Sequence, residues 1–366
     1  MHTLLLGLAL LAPISASQRK TENVVLVTFD GLRWQEVFGG ADANLLVKEN
    51  AGGGDPSAAR AAFCDGAPED RRAALMPFLW GTVAAHGQIY GNAAKGSLAR
   101  VTNGKRFSYP GYHELLCGHA DARIDSNDKK PNPNVTVLEW LHGKEAFRGR
   151  VGAFAEWDCF PFILNRERSG IFVNAGIEPI AGDGLGEKER VLNDLLLGTT
   201  WPHADQRSDA LTFEMGRAWF ERRAPRVFYF AFGETDEWAH EGRYDQVLDA
   251  AHKIDGRLAS MWQALQSIPA YAGKTSLVLT TDHGRGDGPK DWRDHGEKVP
   301  AADRIWIAVL GPDTPPLGER ASCAEVTQSQ VASTVAALLG EDWRAAEPRA
   351  APRILDAIPE AAPSAR

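Results

Sequence analysis

The segment Ser276-Leu-Val-Leu-Thr-Thr281 is a continuous apolar and β-branched run that stops abruptly at Asp282-His283-Gly284. Bounded upstream by Tyr271-Ala-Gly-Lys274, it reads as a short buried strand. Three further runs have the same character: Asn23–Phe29, Arg226–Phe232 and Arg304–Leu310. None alternates strictly between apolar and polar residues, the mark of strands covered on both faces. Helical patterns lie between them, at 69–86, 135–143, 208–223 and 243–266, and supply the crossovers that parallel strands require; a further one at 327–340 closes the core. The chain is thus expected to be an α/β protein with three layers, a largely parallel central sheet carrying helices on both faces.

The amino-terminal run Leu4–Ile14 is apolar but too short to span a bilayer, and Ser15-Ala-Ser17 follows it. Residues 1–17 therefore read as a cleaved signal peptide of an exported, periplasmic or extracellular protein. Residues 18–346 are expected to form a single catalytic domain, and the Ala/Pro-rich stretch 347–366 a loosely held tail. No later run is long and apolar enough for a membrane span. The net charge of −8 with no basic tract argues against a nucleic-acid partner. Cys64, Cys117, Cys159 and Cys323 include no CxxC pair, so a cysteine zinc site is not expected. In an oxidising compartment they predict up to two disulfides, with three pairings open. Asn134-Val-Thr136 is a glycosylation sequon.

In open α/β sheets ligands sit just beyond the carboxyl ends of strands. There this chain places Asp30, then Asp236 with His240, then Asp282 with His283; His295 follows twelve residues after His283. Asp236 and His240, four apart, can face one centre from a single helical turn. These six carboxylate and imidazole groups suit Zn²⁺ and, less selectively, Mn²⁺. They divide into two sets of three, and two metals roughly 3.5–4 Å apart stabilise both oxygens of an in-line displacement. The matching hydroxyl is Ser108, placed ahead of a helix that Pro110 opens and Gly118 closes. A helix start favours an anion, and Asn103, Lys105 and Arg106 just upstream are candidate phosphate contacts.

The order Phe29-Asp30-Gly31, Ser108-Tyr-Pro110, Asp236-x-x-x-His240, Asp282-His283-Gly284 and a later His295 resembles the alkaline phosphatase superfamily, above all its type I phosphodiesterase/nucleotide pyrophosphatase branch. The resemblance runs from about residue 23 to 340. It implies one metal ion held by Asp236, His240 and His295, a second held by Asp30, Asp282 and His283, and Ser108 as a metal-ligating nucleophile. The implied substrate is a small-molecule phosphate mono- or diester, hydrolysed through a phosphoserine. The diesterase branch commonly carries Asn three residues after the nucleophile; here that position is Gly111, leaving Asn103, Lys105, Arg106 or backbone N–H groups to replace it. The sulfatase pattern Cys/Ser-x-Pro-x-Arg fails at Tyr112. A sulfatase-like hydrolase and an inactive metal-binding member of the same fold are the alternatives. Substrate selectivity is expected to lie in the irregular segments 40–70 and 158–200.

Overall fold

Successive residues of the central strand bury into opposite cores: Val25, Val27 and Phe29 on one face, Val24 and Leu26 on the other. The run Val227–Phe232 does the same, with Phe228, Phe230 and Phe232 opposing Val227, Tyr229 and Ala231. This two-sided burial is why neither run alternates in polarity. The computed structural model describes residues 19–359; the expected signal peptide, 1–17, and the last residues, 360–366, lie outside that range.

In chain order the strands are Asn23–Phe29 (β1), Gly87–Tyr90 (β2), Ala99–Arg100 (β3), Val151–Ala155 (β4), Phe172–Ala175 (β5), Val227–Phe232 (β6), Thr275–Thr280 (β7), Ile307–Leu310 (β8), Gly318–Glu319 (β9) and Val326–Thr327 (β10). Eight form one sheet in the order β5-β4-β6-β1-β7-β8-β2-β9, while β3 and β10 pair separately. One face is covered by the helices Asp209–Arg223 and Tyr244–Ser267, through Phe213, Trp219, Leu248 and Leu258. The other is covered by Ser108–Cys117, Val137–Gly143 and Gln330–Leu338, through Tyr112, Leu115, Leu141 and Val335. The three-layer, largely parallel α/β architecture is therefore present.

Several particulars differ from expectation. Strand β8 runs antiparallel to β7 and β2. The connection from Asp282 to Arg304 contains no returning helix and stays at the carboxyl end of β7, where Gly284 N–H meets Ala302 O at 2.9 Å. The chain therefore re-enters the sheet from the end it left, and only an antiparallel strand can do so. The four cysteines are free thiols, so neither expected disulfide forms. Asn134 is buried and its amide donates to Asp121 at 2.7 Å, which closes the sequon to a bulky glycan. The tail expected to be loose from 347 instead packs: Ala350, Ile354, Ala357 and Ile358 are buried in the core of the Ser108 face. No helix among the described residues is long and apolar enough to cross a membrane.

Candidate metal and nucleophile site

The register of the central strands builds the first half of the site. Strands β1 and β7 pair up to Thr28↔Thr280, so two positions further Asp30 stands beside Asp282. Strands β1 and β6 pair up to Phe29↔Phe232, which sets Asp30 level with Gly233, the start of the helix Glu234–His240. Thr235 locks this junction by donating its hydroxyl to Asp30 O at 2.6 Å.

Two trios of donor atoms result, Asp30 with Asp282 and His283, and Asp236 with His240 and His295, the atoms of each lying within 4.8 Å of one another. In the first trio each residue has one atom tied and one bare. Tyr112 OH donates to Asp30 Oδ2 at 2.8 Å, Gly31 N–H to Asp282 Oδ1 at 3.1 Å, and His283 Nδ1 sits 2.9 Å from Gly284 O. The remaining Asp30 Oδ1, Asp282 Oδ2 and His283 Nε2 are buried without a hydrogen-bond partner and converge. Orphaned buried carboxylates are costly unless a cation satisfies them, and these three atoms fit a divalent ion. In the second trio His240 Nε2 is 3.0 Å from Asp236 Oδ2 and 3.0 Å from His295 Nε2. His295 Nδ1 faces Arg106 O at 3.3 Å, which points Nε2 at the centre. The trios adjoin across Asp236 Oδ1, 3.7 Å from His283 Nε2 and 4.0 Å from His295 Nε2.

Charge is unbalanced here. Burial, reinforced by Asp30, pushes the Asp282 carboxyl well above the usual range. Burial disfavours charge on His283, yet Asp282 and Asp30 lift its imidazole to about 9. Arg285, fully buried and lowered to about 9 by that burial, contacts Asp236 Oδ1 closely and reaches Asp236 O at 3.2 Å. Burial, with His283, Arg285 and His240 close by, lowers the His295 imidazole and holds it neutral, the form that ligates a metal.

Ser108 opens the helix Ser108–Cys117 behind Phe107, which has an extended backbone and gives no side-chain cap. Ser108 is thus not the N-cap; its side chain lines a cavity of about 330 Å³ together with Asp30, Asp236, His240 and His295. Asn103, Lys105 and Arg106 do not line that cavity. Asn103 spends Nδ2 on Glu114 and Oδ1 on the backbone of Lys105 and Arg106. Lys105 pairs with Glu297 at 2.6 Å, and Arg106 donates to Glu297 O. These three residues shape and fasten the loop before Ser108. Gly111 shows why no side chain stands there: a Cβ would come within 2.4 Å of Asp282 O. Two side-chain amides line the cavity: Gln206 spends Nε2 on Glu237 Oε1 at 2.7 Å, whereas Asn127 accepts at Oδ1 from Tyr109 N–H at 2.9 Å.

The sequence patterns do not single out Asn127, Glu156, Gln206, Glu237 or Arg285 as site residues. Glu156 carried a readable signal, since it follows β4 just as Asp30 follows β1. Its carboxyl needs Gly233 opposite, where a Cβ would approach Glu156 Oε2 to 2.0 Å. Segment 40–70 contributes nothing to the cavity, and from 158–200 no residue lines it either.

No family model matches the chain, and no curated protein matches it in sequence. Solved structures do match in shape. Alkaline phosphatase PafA superposes with a TM-score of 0.58 at 11% identity, over 94% of this chain and 100% of that one. The fold is that of the alkaline phosphatase superfamily. A phosphonate monoester hydrolase from Silicibacter pomeroyi (TM-score 0.55, 12% identity, 94% of this chain and 78% of that one) shares the alkaline phosphatase-like fold. So does a 2-O GAG sulfatase (TM-score 0.55, 14% identity, 94% and 76%).

Proposed function

We propose that the chain is a metal-dependent hydrolase of phosphoric esters, a member of the alkaline phosphatase superfamily with Ser108 as nucleophile. The observation that carries this reading is the shared cavity, which Ser108 lines together with Asp30 of the first trio and all three residues of the second. The trio Asp30, Asp282 and His283 would hold one divalent ion and Asp236, His240 and His295 the other, Zn²⁺ by donor chemistry and Mn²⁺ next. Bound there, the ions supply a lowered hydroxyl pKa and neutralisation of the phosphoryl oxygens.

The chain's own groups do the rest. The Ser108 hydroxyl makes no hydrogen bond among the described residues, so it is free to attack phosphorus. The Oγ–P bond forms as the ester P–O bond breaks, and water then hydrolyses the phosphoserine. The start of the helix behind Ser108 favours the phosphoryl charge, and Asn127 Nδ2, left free by the bond to Tyr109 N–H, donates to a non-bridging oxygen. Asn127 thereby replaces the amide that Gly111 cannot carry, in keeping with the phosphodiesterase-like order of motifs. At the position where the sulfatase pattern has Arg, Tyr112 is buried against Asp30, which favours phosphate over sulfate esters. Export through residues 1–17 belongs to the same proposal and is checked by amino-terminal sequencing of secreted protein.

The test is turnover of p-nitrophenyl phosphate, bis(p-nitrophenyl) phosphate and p-nitrophenyl sulfate by Zn²⁺- and Mn²⁺-loaded protein. Phosphate ester turnover is expected, and Ser108→Ala should lower it by about a thousandfold or more with metal content and Tm retained. Turnover of the sulfate alone would move the reading to a sulfatase. Near-normal phosphate turnover by Ser108→Ala would remove Ser108 as nucleophile.

A further inference from the structure

A second cavity, of about 460 Å³, opens beside the first and shares Glu156, Gln206 and Glu237 with it. Its walls carry two indoles, Trp201 and Trp238, and four carboxyls, Glu156, Glu234, Glu237 and Glu241. Arg243 stands 5.8 Å from the Trp238 ring centre but is paired with Asp245, and among the residues that line the cavity positive charge does not balance the carboxyls. Arg207 touches the cavity but is 2% exposed, its guanidinium spent on Ala155 O, Asn174 Oδ1 and Thr212 Oγ1. His203 approaches Glu237 only to 3.9 Å.

Glu156 marks where a ligand belongs. It is 4% exposed, lines both cavities, and its carboxyl has no hydrogen bond or ion pair. That carboxyl opens on the two cavities rather than into the core, which leaves it available to a bound partner. The partner is not a third metal ion, because among the described residues only the two trios bring three donors together. Indole faces combined with carboxyls attract an organic cation, whose charge is spread over an ammonium or its methyl groups. Burial, with Asp209, Glu237, Asp30 and Glu234 nearby, holds Glu156 well above the usual carboxyl range, consistent with a site short of positive charge.

We propose that this cavity receives a quaternary or protonated amine on the alcohol portion of the substrate, so that the ester hydrolysed at Ser108 is a phosphate ester of an amino alcohol. The proposal rests on the phosphoesterase reading above and names its substrate class.

The experiment compares kcat/KM of the metal-loaded protein for phosphocholine and for 3,3-dimethylbutyl phosphate, its uncharged isostere. The p-nitrophenyl diesters of both alcohols are run in parallel, with p-nitrophenyl phosphate as reference. A preference for the cationic ester of about tenfold or more is expected, falling towards one in Trp201→Leu and in the exposed-rim variant Glu241→Gln. Equal turnover of charged and neutral esters would overturn the amine site while leaving the phosphoesterase intact. If no phosphate ester is turned over, the phosphoesterase reading fails on its own. Calorimetric titration with choline then decides the cavity: binding that Trp201→Leu weakens supports an amine site, and no binding overturns it.

Discussion

The two trios hold the same kinds of donor atoms but are built from different parts of the fold. Asp30, Asp282 and His283 stand on the ends of adjacent central strands, with side-chain exposures of 10%, 0% and 0%. Asp236 and His240 come from a seven-residue helix and His295 from a long loop, and the His240 side chain is 47% exposed. Sheet register fixes the first trio through backbone pairing on both sides. The second depends on a short helix and a loop held by side-chain and backbone contacts. The difference teaches that one candidate metal position is part of the core, whereas the other opens to solvent at His240.

The sharpest way to break that contrast is to strip the metals. Loaded protein mixed with a chromophoric chelator should release its two equivalents in two phases, the slow one from the Asp30 trio. Asp282→Asn should abolish the slow phase and cost more activity than the roughly 10–100-fold loss that follows disturbance of a ligand's outer partners. His240→Asn should abolish the fast phase and stay within that range. A single phase in the wild type, or equal losses in the two variants, would show the trios to be equivalent.

A smaller effect comes from Gly111→Asn, which introduces the residue common at this position in the phosphodiesterase branch. Its Cβ meets Asp282 O, and such overpacking costs about 1–3 kcal/mol. Denaturant midpoints should fall accordingly, and the slow phase should quicken while the fast one is unchanged. A gain in diesterase activity without loss of stability would contradict the packing argument.

The smallest effect belongs to neither trio. Burial, with His119 nearby, holds His113 at about 4, below its unfolded value. An imidazole depressed in this way contributes stability above pH about 6.5, and that contribution is lost as pH falls towards about 4. The slope is on the order of 1 kcal/mol per pH unit. His113→Phe should remove that slope, read as the difference in denaturant midpoint between pH 7 and 5 relative to wild type. An unchanged pH profile would assign the acid sensitivity to the trios.

How much was legible in the sequence follows from the same contrast. Runs buried on both faces announce themselves, so β1, β6 and β7, and the carboxylates just past their ends, could be read directly. Asp236 and His240 were legible from helical spacing. Chain direction was not, because the apolar run ending in β8 looks the same in either orientation and only the path of the connection decides it. The loop 103–106 looked like a phosphate cradle because its composition is polar and basic. Composition could not show that Glu114 and Glu297 consume those groups. Asn127 and Arg285 reach the site by tertiary approach from distant loops, which no local pattern encodes. Glu156 obeys the strand-end rule but has no His close after it to mark a ligand set.

The contacts of Arg106 carry a consequence for transplantation. Its carbonyl accepts from Gly296 N–H at 2.9 Å and faces His295 Nδ1 across 189 residues of sequence, while Lys105 and Arg106 both hold Glu297. The segment leading to Ser108 and the segment around His295 are therefore one cassette in space although far apart in the chain. A chimera that imports residues 99–107 from a relative without also importing 294–297 would carry the nucleophile on a leader with no matching clasp.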